Sequence, residues 1–503
     1  MGDNYFVTNP LQQSESQAAG LAAQLKDALD PSITLNLYNE IATPSTGNTI
    51  PRAYLLIVGT IPPKPVGQVT GGQSFLVKDS QGNNVWTPAV PNAPITWKTG
   101  GSLQDQFYPT PVTPGVHTTV DPLKITVPGN VQSCRVYFLI QTKCWKAVPG
   151  SLAEGDPRVF GPPSDPYRVN EQGNCNDFTA GVWGLNGSYP NFGGKCEFTV
   201  TASQVWMNTT NVDNFSLPME FGMDVTPNAS GSGTLPVDGR VGFTSDRKAL
   251  FDSYVASVDG KWWQNVALQG QTATGAVIKV VESSQAMTGI TTSDLPSGTD
   301  GYLRIVSPAA FDKAQQGGTN DFQSYLNSVW TYWTGTKKLR IYGQNNSIWS
   351  GNASGDVFTF TLETPASPPS PDAPSSIVIS KTDQFWWDTL NCTGPWVQVG
   401  PADDGVVKTN FSAALNRGII PASGTATTFG PTELCTATPY ASECNLYAKV
   451  LHEKASVRTL APGGKPVSAV YAFPYDDSCD ISTTISTKVA NIFSASIGLK
   501  PWG

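Results

Sequence analysis

The stretch Lys195–Asn208 reads KCEFTVTASQVWMN, and the polarity of its first half alternates at every residue. Successive side chains of a β-strand point to opposite faces of a sheet. The stretch therefore predicts a strand with one face on the core and one polar face. The core face would hold Cys196, Phe198 and Val200, and the polar face Glu197, Thr199 and Thr201.

Short strands of this kind recur before and after this stretch, separated by turns rich in the 48 Gly and 40 Pro. Such a cadence is typical of an antiparallel sandwich or barrel. The pattern continues to about Leu235. The segments are ITLNLYNE (33–40), AYLLIVGT (53–60), SFLVKD (74–79), ITWKT (95–99), LKITV (123–127), CRVYFLI (134–140) and FSLPMEFGMDV (215–225).

Beyond Leu235 the pattern changes to helices that alternate with strands. The segment DRKALFDSYVASV follows Ser245, which we expect to cap a helix. The segment TNDFQSYLNSVWTYW (319–333) carries aromatic residues at helical spacing, which indicates a core-facing stripe. Strands KKLRIYG (337–343) and DVFTFTLE (356–363), a Pro-rich loop (364–374), and helices at 411–417, with Gly418 as C-cap, and 442–453 follow.

These patterns predict a mainly β protein with an α/β part, in three regions. Residues 1–30 form an N-terminal helical extension, with the helix at 13–29. Residues 31–235 form a β-sandwich or barrel lobe, and residues 236–503 form a mixed α/β lobe.

Composition narrows the choice of partner. The net charge is −8 and the chain has no Lys/Arg-rich run, whereas phosphate backbones need a basic stripe. Fourteen Trp and sixteen Tyr suit an uncharged, hydroxylated ligand better. No segment reaches the roughly 18 apolar residues that span a bilayer. We therefore expect neither a nucleic-acid partner nor a membrane span.

The eight cysteines fall into two groups of four, and no CxxC occurs. This arrangement predicts disulfides within each half and an oxidising, extracellular compartment. Eight Asn-x-Ser/Thr sequons, including those at Asn208 and Asn214, are compatible with secretion. The groups are Cys134, Cys144, Cys175 and Cys196, and then Cys392, Cys435, Cys444 and Cys479.

Elimination leaves carboxylate chemistry. The only histidines are His117 and His452, and neither lies in an HExxH spacing. No GxSxG elbow, P-loop or dinucleotide fingerprint occurs. We expect no cofactor and a structural or surface role for His452. Paired carboxylates with aromatic residues are the groups that a glycosidase uses. Glu197 is the candidate catalytic carboxylate, because it shares one face of its predicted strand with the hydroxyls of Thr199 and Thr201. The polar face of an ordinary, half-exposed strand gives the same pattern.

The segment CEFTVTASQVWMNTTNVDNFSLPMEF (196–221) resembles the active-site region of glycoside hydrolase family 64, the laminaripentaose-producing β-1,3-glucanases, which are related in fold to thaumatin-like proteins. The resemblance extends from about Ile33 to the C-terminus. Its further matches are RVYFLI (135–140), SDRKALFDSY (245–254), FSAALNRG (411–418) and YAFPYDD (471–477).

This resemblance implies a thaumatin-like β-sandwich or barrel lobe and an α/β lobe that flank a wide cleft. The cleft would accept β-1,3-glucan, including its intact triple helix, for endo-cleavage with inversion and release of short laminari-oligosaccharides. Glu197 matches the general acid and Asp213 the general base. Matches to sugar-binding positions are Thr199, Trp206 and Thr210, with Thr201 at a place where the family has Asn. We expect a secreted monomer.

Strand spacing is compatible with this pair. An inverting enzyme needs its carboxyls roughly 6.5–9.5 Å apart, and adjacent strands lie about 4.8 Å apart. Glu197 and Asp213 are sixteen positions apart, with a turn-like stretch at 208–211 between them. Glu220 and Asp224 are competing bases.

Two alternatives to the glucanase remain open from the residues. A catalytically inactive, glucan-binding defence protein of the thaumatin-like kind would keep the fold and the cleft. A structural coat or matrix protein would fit the Thr/Gly-rich β pattern. Asp476 and Asp477 either line the groove or, as we prefer, stabilise a turn.

Overall fold

The fold is described from a computed structural model. It describes residues 32–41, 53–60, 73–88, 108–127, 131–140, 192–200, 204–212, 214–225, 240–259, 261–263, 267–269, 302–308, 320–367, 374–398, 402–430, 440–441, 443–455, 457–459, 466–468, 470–476, 485–488 and 492–500. The predicted N-terminal helix at 13–29 and the predicted strand at 95–99 lie outside these residues.

Twelve described strands lie before residue 243. They are β1 (Ile33–Asn39), β2 (Ala53–Thr60), β3 (Gln73–Lys78), β4 (Asn84–Pro88), β5 (Tyr108–Val112), β6 (Leu123–Val127), β7 (Gln132–Ile140), β8 (Phe192–Val200), β9 (Gln204–Thr210), β10 (Asn214–Phe215), β11 (Met219–Val225) and β12 (Val241–Gly242).

The remaining elements alternate between helices and strands. The helices are α1 (Arg247–Val258), α2 (Asp321–Tyr332), α3 (Phe385–Asn391), α4 (Ala402–Asn416) and α5 (Leu446–Glu453). The strands are β13 (Ala267–Gln269), β14 (Tyr302–Val306), β15 (Lys338–Tyr342), β16 (Ile348–Ser354), β17 (Val357–Thr364), β18 (Ser376–Ser380), β19 (Thr428–Phe429), β20 (Val457–Thr459), β21 (Pro466–Ser468), β22 (Val470–Tyr471), β23 (Ile485–Lys488) and β24 (Ile492–Leu499).

Two large sheets carry most strands of the first half. A nine-stranded sheet has the order β22-β9-β8-β7-β2-β3-β4, with β23 paired to β9 and β5 paired to β2. A five-stranded sheet has the order β12-β11-β24-β1-β6. Within these two sheets, β22 pairs with β9 in parallel and β24 pairs with β1 in parallel. The other strand pairs of the two sheets are antiparallel. The predicted mainly β fold is confirmed.

The strand β24 comes from the end of the chain but lies between β1 and β11 of the first half. Its alternate residues Ala495, Ile497 and Leu499 are fully buried in the core. A side chain at Gly498 would overlap the Tyr38 ring, so only glycine allows this approach. The five-stranded sheet therefore includes residues from beyond 235, and the proposed division at that position stays a prediction.

The helices of the second half pack against aromatic residues. The predicted stripe on α2 is confirmed, because Trp330 is 2% exposed and its ring stacks on Phe411 of α4 at a centroid distance of 5.6 Å. The N-cap of α1 is Asp246, whose side chain accepts a hydrogen bond from Ala249 N, rather than the predicted Ser245. No described helix is long and apolar enough to cross a membrane.

The cysteines correct one expectation. All four described cysteines are buried free thiols, so the predicted disulfides are absent at these positions. Burial raises the pKa of each thiol above its ordinary value. The described cysteines are Cys134, Cys196, Cys392 and Cys444, whereas Cys144, Cys175, Cys435 and Cys479 lie outside the described residues.

The turn after β22 is built around the fully buried carboxylate of Asp476. His452 Nε2 of α5 lies 2.6 Å from Asp476 Oδ2, and Ala472 N donates to the same oxygen at 2.8 Å. Arg417 Nη2 donates to the Asp476 carbonyl, and Tyr440 donates to Oδ1. Asp476 therefore stabilises a turn, as predicted, and His452 has a structural role.

The partners of Asp476 decide its charge state. Burial by itself raises the pKa of a carboxyl group. The charge and hydrogen bond of His452, the charge of Arg417 and the Ala472 amide outweigh burial and hold the pKa of Asp476 below its usual value. The folded protein therefore holds Asp476 as a carboxylate.

We expect Asp476→Asn to lower the free energy of unfolding at pH 7 by about 3–5 kcal/mol, because it leaves the buried Arg417 guanidinium without its carboxylate. A carboxyl with a lowered pKa stabilises the fold above its unfolded pKa of about 3.9, and this contribution is lost as the pH falls through the folded value. Urea unfolding at pH 7 and pH 3 should therefore show a smaller difference between parent and variant at pH 3.

The matched control is Asp252→Asn. Its carboxylate is 47% exposed and pairs with Lys248 on the surface of α1, so the change should cost less than about 1 kcal/mol. Equal stability of the two variants would contradict the role given to Asp476.

Candidate active site

Three neighbouring strands place a row of polar residues across the nine-stranded sheet. In the antiparallel register, Glu197 of β8 lies opposite Arg135 of β7 on one side and Asn208 of β9 on the other. Directly opposed residues share a face, with Cβ atoms about 4.5–5.5 Å apart. Arg135, Glu197 and Asn208 therefore form one transverse row, which we call the polar row.

The other face of β8 is packed in the core. Cys196, Phe198 and Val200 are at most 1% exposed. The alternation predicted from the sequence is confirmed, and it fixes which face carries Glu197.

Glu197 is accessible from solvent but not loosely held. Its side chain and that of Arg135 are each 28% exposed, and Arg135 Nη2 lies 3.8 Å from Glu197 Oε1. The backbone of Glu197 lies inside a sheet paired on both sides. A carboxyl group placed in this way can exchange a proton with a ligand on the polar face.

Asn208 and Arg135 are the members of the polar row that the sequence pattern did not relate to Glu197. Asn208 Oδ1 is buried and has no hydrogen-bond partner among the residues that the structure describes. A buried amide oxygen without a partner is uncommon in native proteins. The available signals were an Arg inside the apolar run CRVYFLI and an amide at alternate spacing in QVWMNTT, but only the register relates them to Glu197.

The predicted sugar-binding residues differ in what the structure says of them. Thr199 and Thr210 are only 8% and 4% exposed. Thr199 Oγ1 accepts a hydrogen bond from Ser133 N at 3.0 Å, so this hydroxyl already has a structural partner. Trp206 pairs with Thr199 through the backbone. Thr201 and Asp213 lie outside the described residues. The sugar-binding roles of these threonines and of Trp206, and the catalytic role of Asp213, stay predictions.

The competing base Glu220 lies in the other large sheet, on β11. Its carboxylate lies 3.1 Å from Lys500 Nζ and 3.7 Å from Arg240 Nη1, and it accepts a hydrogen bond from Tyr38. Burial, followed by the charge of Glu220, raises the pKa of Tyr38. Glu220 is thus held in an ion cluster of the five-stranded sheet.

The two other acidic candidates are Asp224 and Asp477. Asp224 is also on β11, where its backbone pairs with Ser494 of β24. Asp477 lies outside the described residues, next to the buried Asp476.

The fold and the exposed carboxylate on a polar sheet face agree with a carbohydrate-active enzyme. A family model described as beta-1,3-glucanase matches residues 185–294 and 293–497, more than half of the chain. The chain therefore belongs to glycoside hydrolase family 64, the β-1,3-glucanases. Among curated proteins, none matches it.

Solved structures of this family share the fold. A beta-1,3-glucanase domain from Clostridium beijerinckii is 17% identical, with a TM-score of 0.54 over 95% of this chain and 100% of that chain. A laminaripentaose-producing beta-1,3-glucanase in complex with laminaritetraose is 16% identical, with a TM-score of 0.54 over 94% of this chain and 99% of that chain. At these identities the likeness shows the fold alone.

The contact between Thr199 and Ser133 gives a test. Ser133 has a positive φ of 47°, which is uncommon for a non-glycine residue, and its N–H is bound by Thr199. We expect Thr199→Val to lower the free energy of unfolding by about 1–3 kcal/mol, because a buried donor loses its partner.

Urea unfolding measures this change. Thr361→Val is the control, because the Thr361 hydroxyl donates to the Ser350 carbonyl at an exposed position. If Thr199→Val keeps parental stability but weakens sugar binding, the hydroxyl serves the ligand instead.

Proposed function

We propose that this β-1,3-glucanase cuts its substrate internally and with inversion, with Glu197 as general acid and Asp213 as general base. The observation that carries the proposal is the position of Glu197: a partly exposed carboxyl on a sheet whose other face is core. Family membership supports β-1,3-glucan as the substrate. The similar laminaripentaose-producing enzyme was solved with laminaritetraose, which supports a β-1,3-linked ligand for this chain also.

The steps follow from the two roles. Glu197 donates its proton to the glycosidic oxygen as the bond between that oxygen and C1 breaks. A water molecule attacks C1 from the opposite face of the sugar, and Asp213 accepts its proton. This arrangement inverts the anomeric carbon. β8 and β9 are adjacent, and Asp213 follows the end of β9 by three residues. An inverting pair requires a separation of roughly 6.5–9.5 Å between its carboxyls.

The finer assignments belong to the same proposal. Short laminari-oligosaccharides would be the products, and triple-helical glucan would be accepted if the cleft is as wide as the family resemblance implies. Thr199, Thr201, Trp206 and Thr210 would lie near the sugar subsites. We also propose that the protein acts as a secreted monomer, since its substrate is a polymer and the sequons are compatible with export.

The main test uses Glu197→Gln with laminarin and curdlan in a reducing-sugar assay. The variant should lower kcat by about 10²–10⁴-fold, the usual contribution of a general acid. Its Kd for laminari-oligosaccharides should stay within about threefold of the parental value, because the amide keeps the shape of the carboxyl.

The matched control is Glu363→Gln on β17, whose exposed carboxylate pairs with Arg340 of β15. This variant should keep parental activity. Proton NMR of the first products should show the α-anomer. Parental turnover by Glu197→Gln would sink the assignment of the acid. Laminarin binding without hydrolysis by the parent would favour the inactive defence protein, and an absence of both would favour a structural protein.

A further inference from the structure

Asp213 follows the end of β9 in sequence. Just before it, Asn211 is held by hydrogen bonds to residues of the second half of the chain. Asn211 N donates to the Tyr471 carbonyl of β22 at 2.7 Å. The Asn211 carbonyl accepts a hydrogen bond from the Tyr447 hydroxyl of α5 at 2.5 Å. Both polar groups of the Asn211 backbone are thus bound two residues before Asp213.

The downstream side is held as well. Asn214 and Phe215 form β10, which pairs with β14. The Ser216 carbonyl accepts a hydrogen bond from Arg247 Nε of α1 at 2.6 Å. Asn211 Nδ2 also approaches the Asn214 carbonyl at 3.5 Å, across the position of Asp213. Asp213 therefore lies between two anchored residues, Asn211 and Asn214, each less than a tenth exposed.

Tyr447 is the side chain that makes the upstream anchor. It is fully buried on α5 and reaches a carbonyl 236 positions away in sequence. A Tyr hydroxyl that donates to a main-chain carbonyl limits rotation of that peptide group. The Asn211 peptide lies between the end of β9 and Asp213 in sequence, so the contact acts on the segment that leads to the proposed base.

We propose that Tyr447 is a positioning residue for the reaction, which acts by fixing the Asn211 carbonyl two residues before the base, Asp213. This inference rests on the proposed role of Asp213 as the base. A displacement of about 1 Å can cost about 10²-fold in rate when it moves a reacting group. Loss of one hydrogen bond far from the site has no such effect.

The experiment compares Tyr447→Phe with a matched control, Tyr254→Phe. The Tyr254 hydroxyl also is buried and donates to a main-chain carbonyl, that of Trp263, at 3.0 Å. Both variants keep their rings and packing, so both should fold, with similar losses in melting temperature. Tyr447→Phe should lower kcat on laminarin by about 10–100-fold with KM within about threefold of the parental value, and Tyr254→Phe should leave both unchanged.

A double-mutant cycle with Asp213→Asn decides whether Tyr447 acts through the base. If it does, adding Tyr447→Phe to Asp213→Asn lowers kcat no further, because the positioned group is already gone. Equal kcat of Tyr447→Phe and Tyr254→Phe, or a full multiplicative loss in the double variant, overturns the inference. Parental kcat in Asp213→Asn alone instead removes the proposed base, and that result is visible without any Tyr447 variant.

Discussion

The site depends on the pairing of β8 with strands on both of its edges. Since β7 and β9 are antiparallel to β8, side chains on the three strands fall into common rows. Cys196, Phe198 and Val200 face the core, and a slip of one residue would bury Glu197 and expose them. The hydrophobic cost of that slip holds the carboxyl on the polar face. Arg135 and Asn208 complete the polar row only because the same register sets all three.

A second constraint joins the two halves of the chain at the end of β9. The strand β22 adds to β9 in parallel, and the turn after it is built on the Asp476 carboxylate with its partners His452 and Arg417. His452 belongs to α5, and Arg417 directly follows the last residue of α4. The same helix α5 carries Tyr447, which binds Asn211. One helix of the second half therefore supports both the turn beside β9 and the segment beyond it.

Local patterns were sufficient for much of this fold. The alternation in KCEFTVT, the buried run AYLLIVGT and the aromatic stripe of α2 each report burial within a few residues, and each prediction is confirmed. The position of β24 was not predictable, since its pairing with β1 joins residues about 460 positions apart. The pairing of thiols also depends on three-dimensional distances, which spacing in sequence does not give. For the same reason, the polar row needed a register before Arg135 could be related to Glu197.

On the proposed assignment, the acid and the base are held in different ways. Glu197 lies in the middle of a strand, where hydrogen bonds on both sides leave its backbone little freedom. Asp213 follows the end of β9 in sequence, and the residues on either side of it are held by contacts from α5, β22, β14 and α1. On this assignment, contacts from the second half of the chain act on the residues next to the base, whereas the acid is held by its own sheet. An inverting enzyme must keep its two carboxyls far enough apart to admit one water molecule, so contacts remote from the carboxyls would bear directly on the reaction.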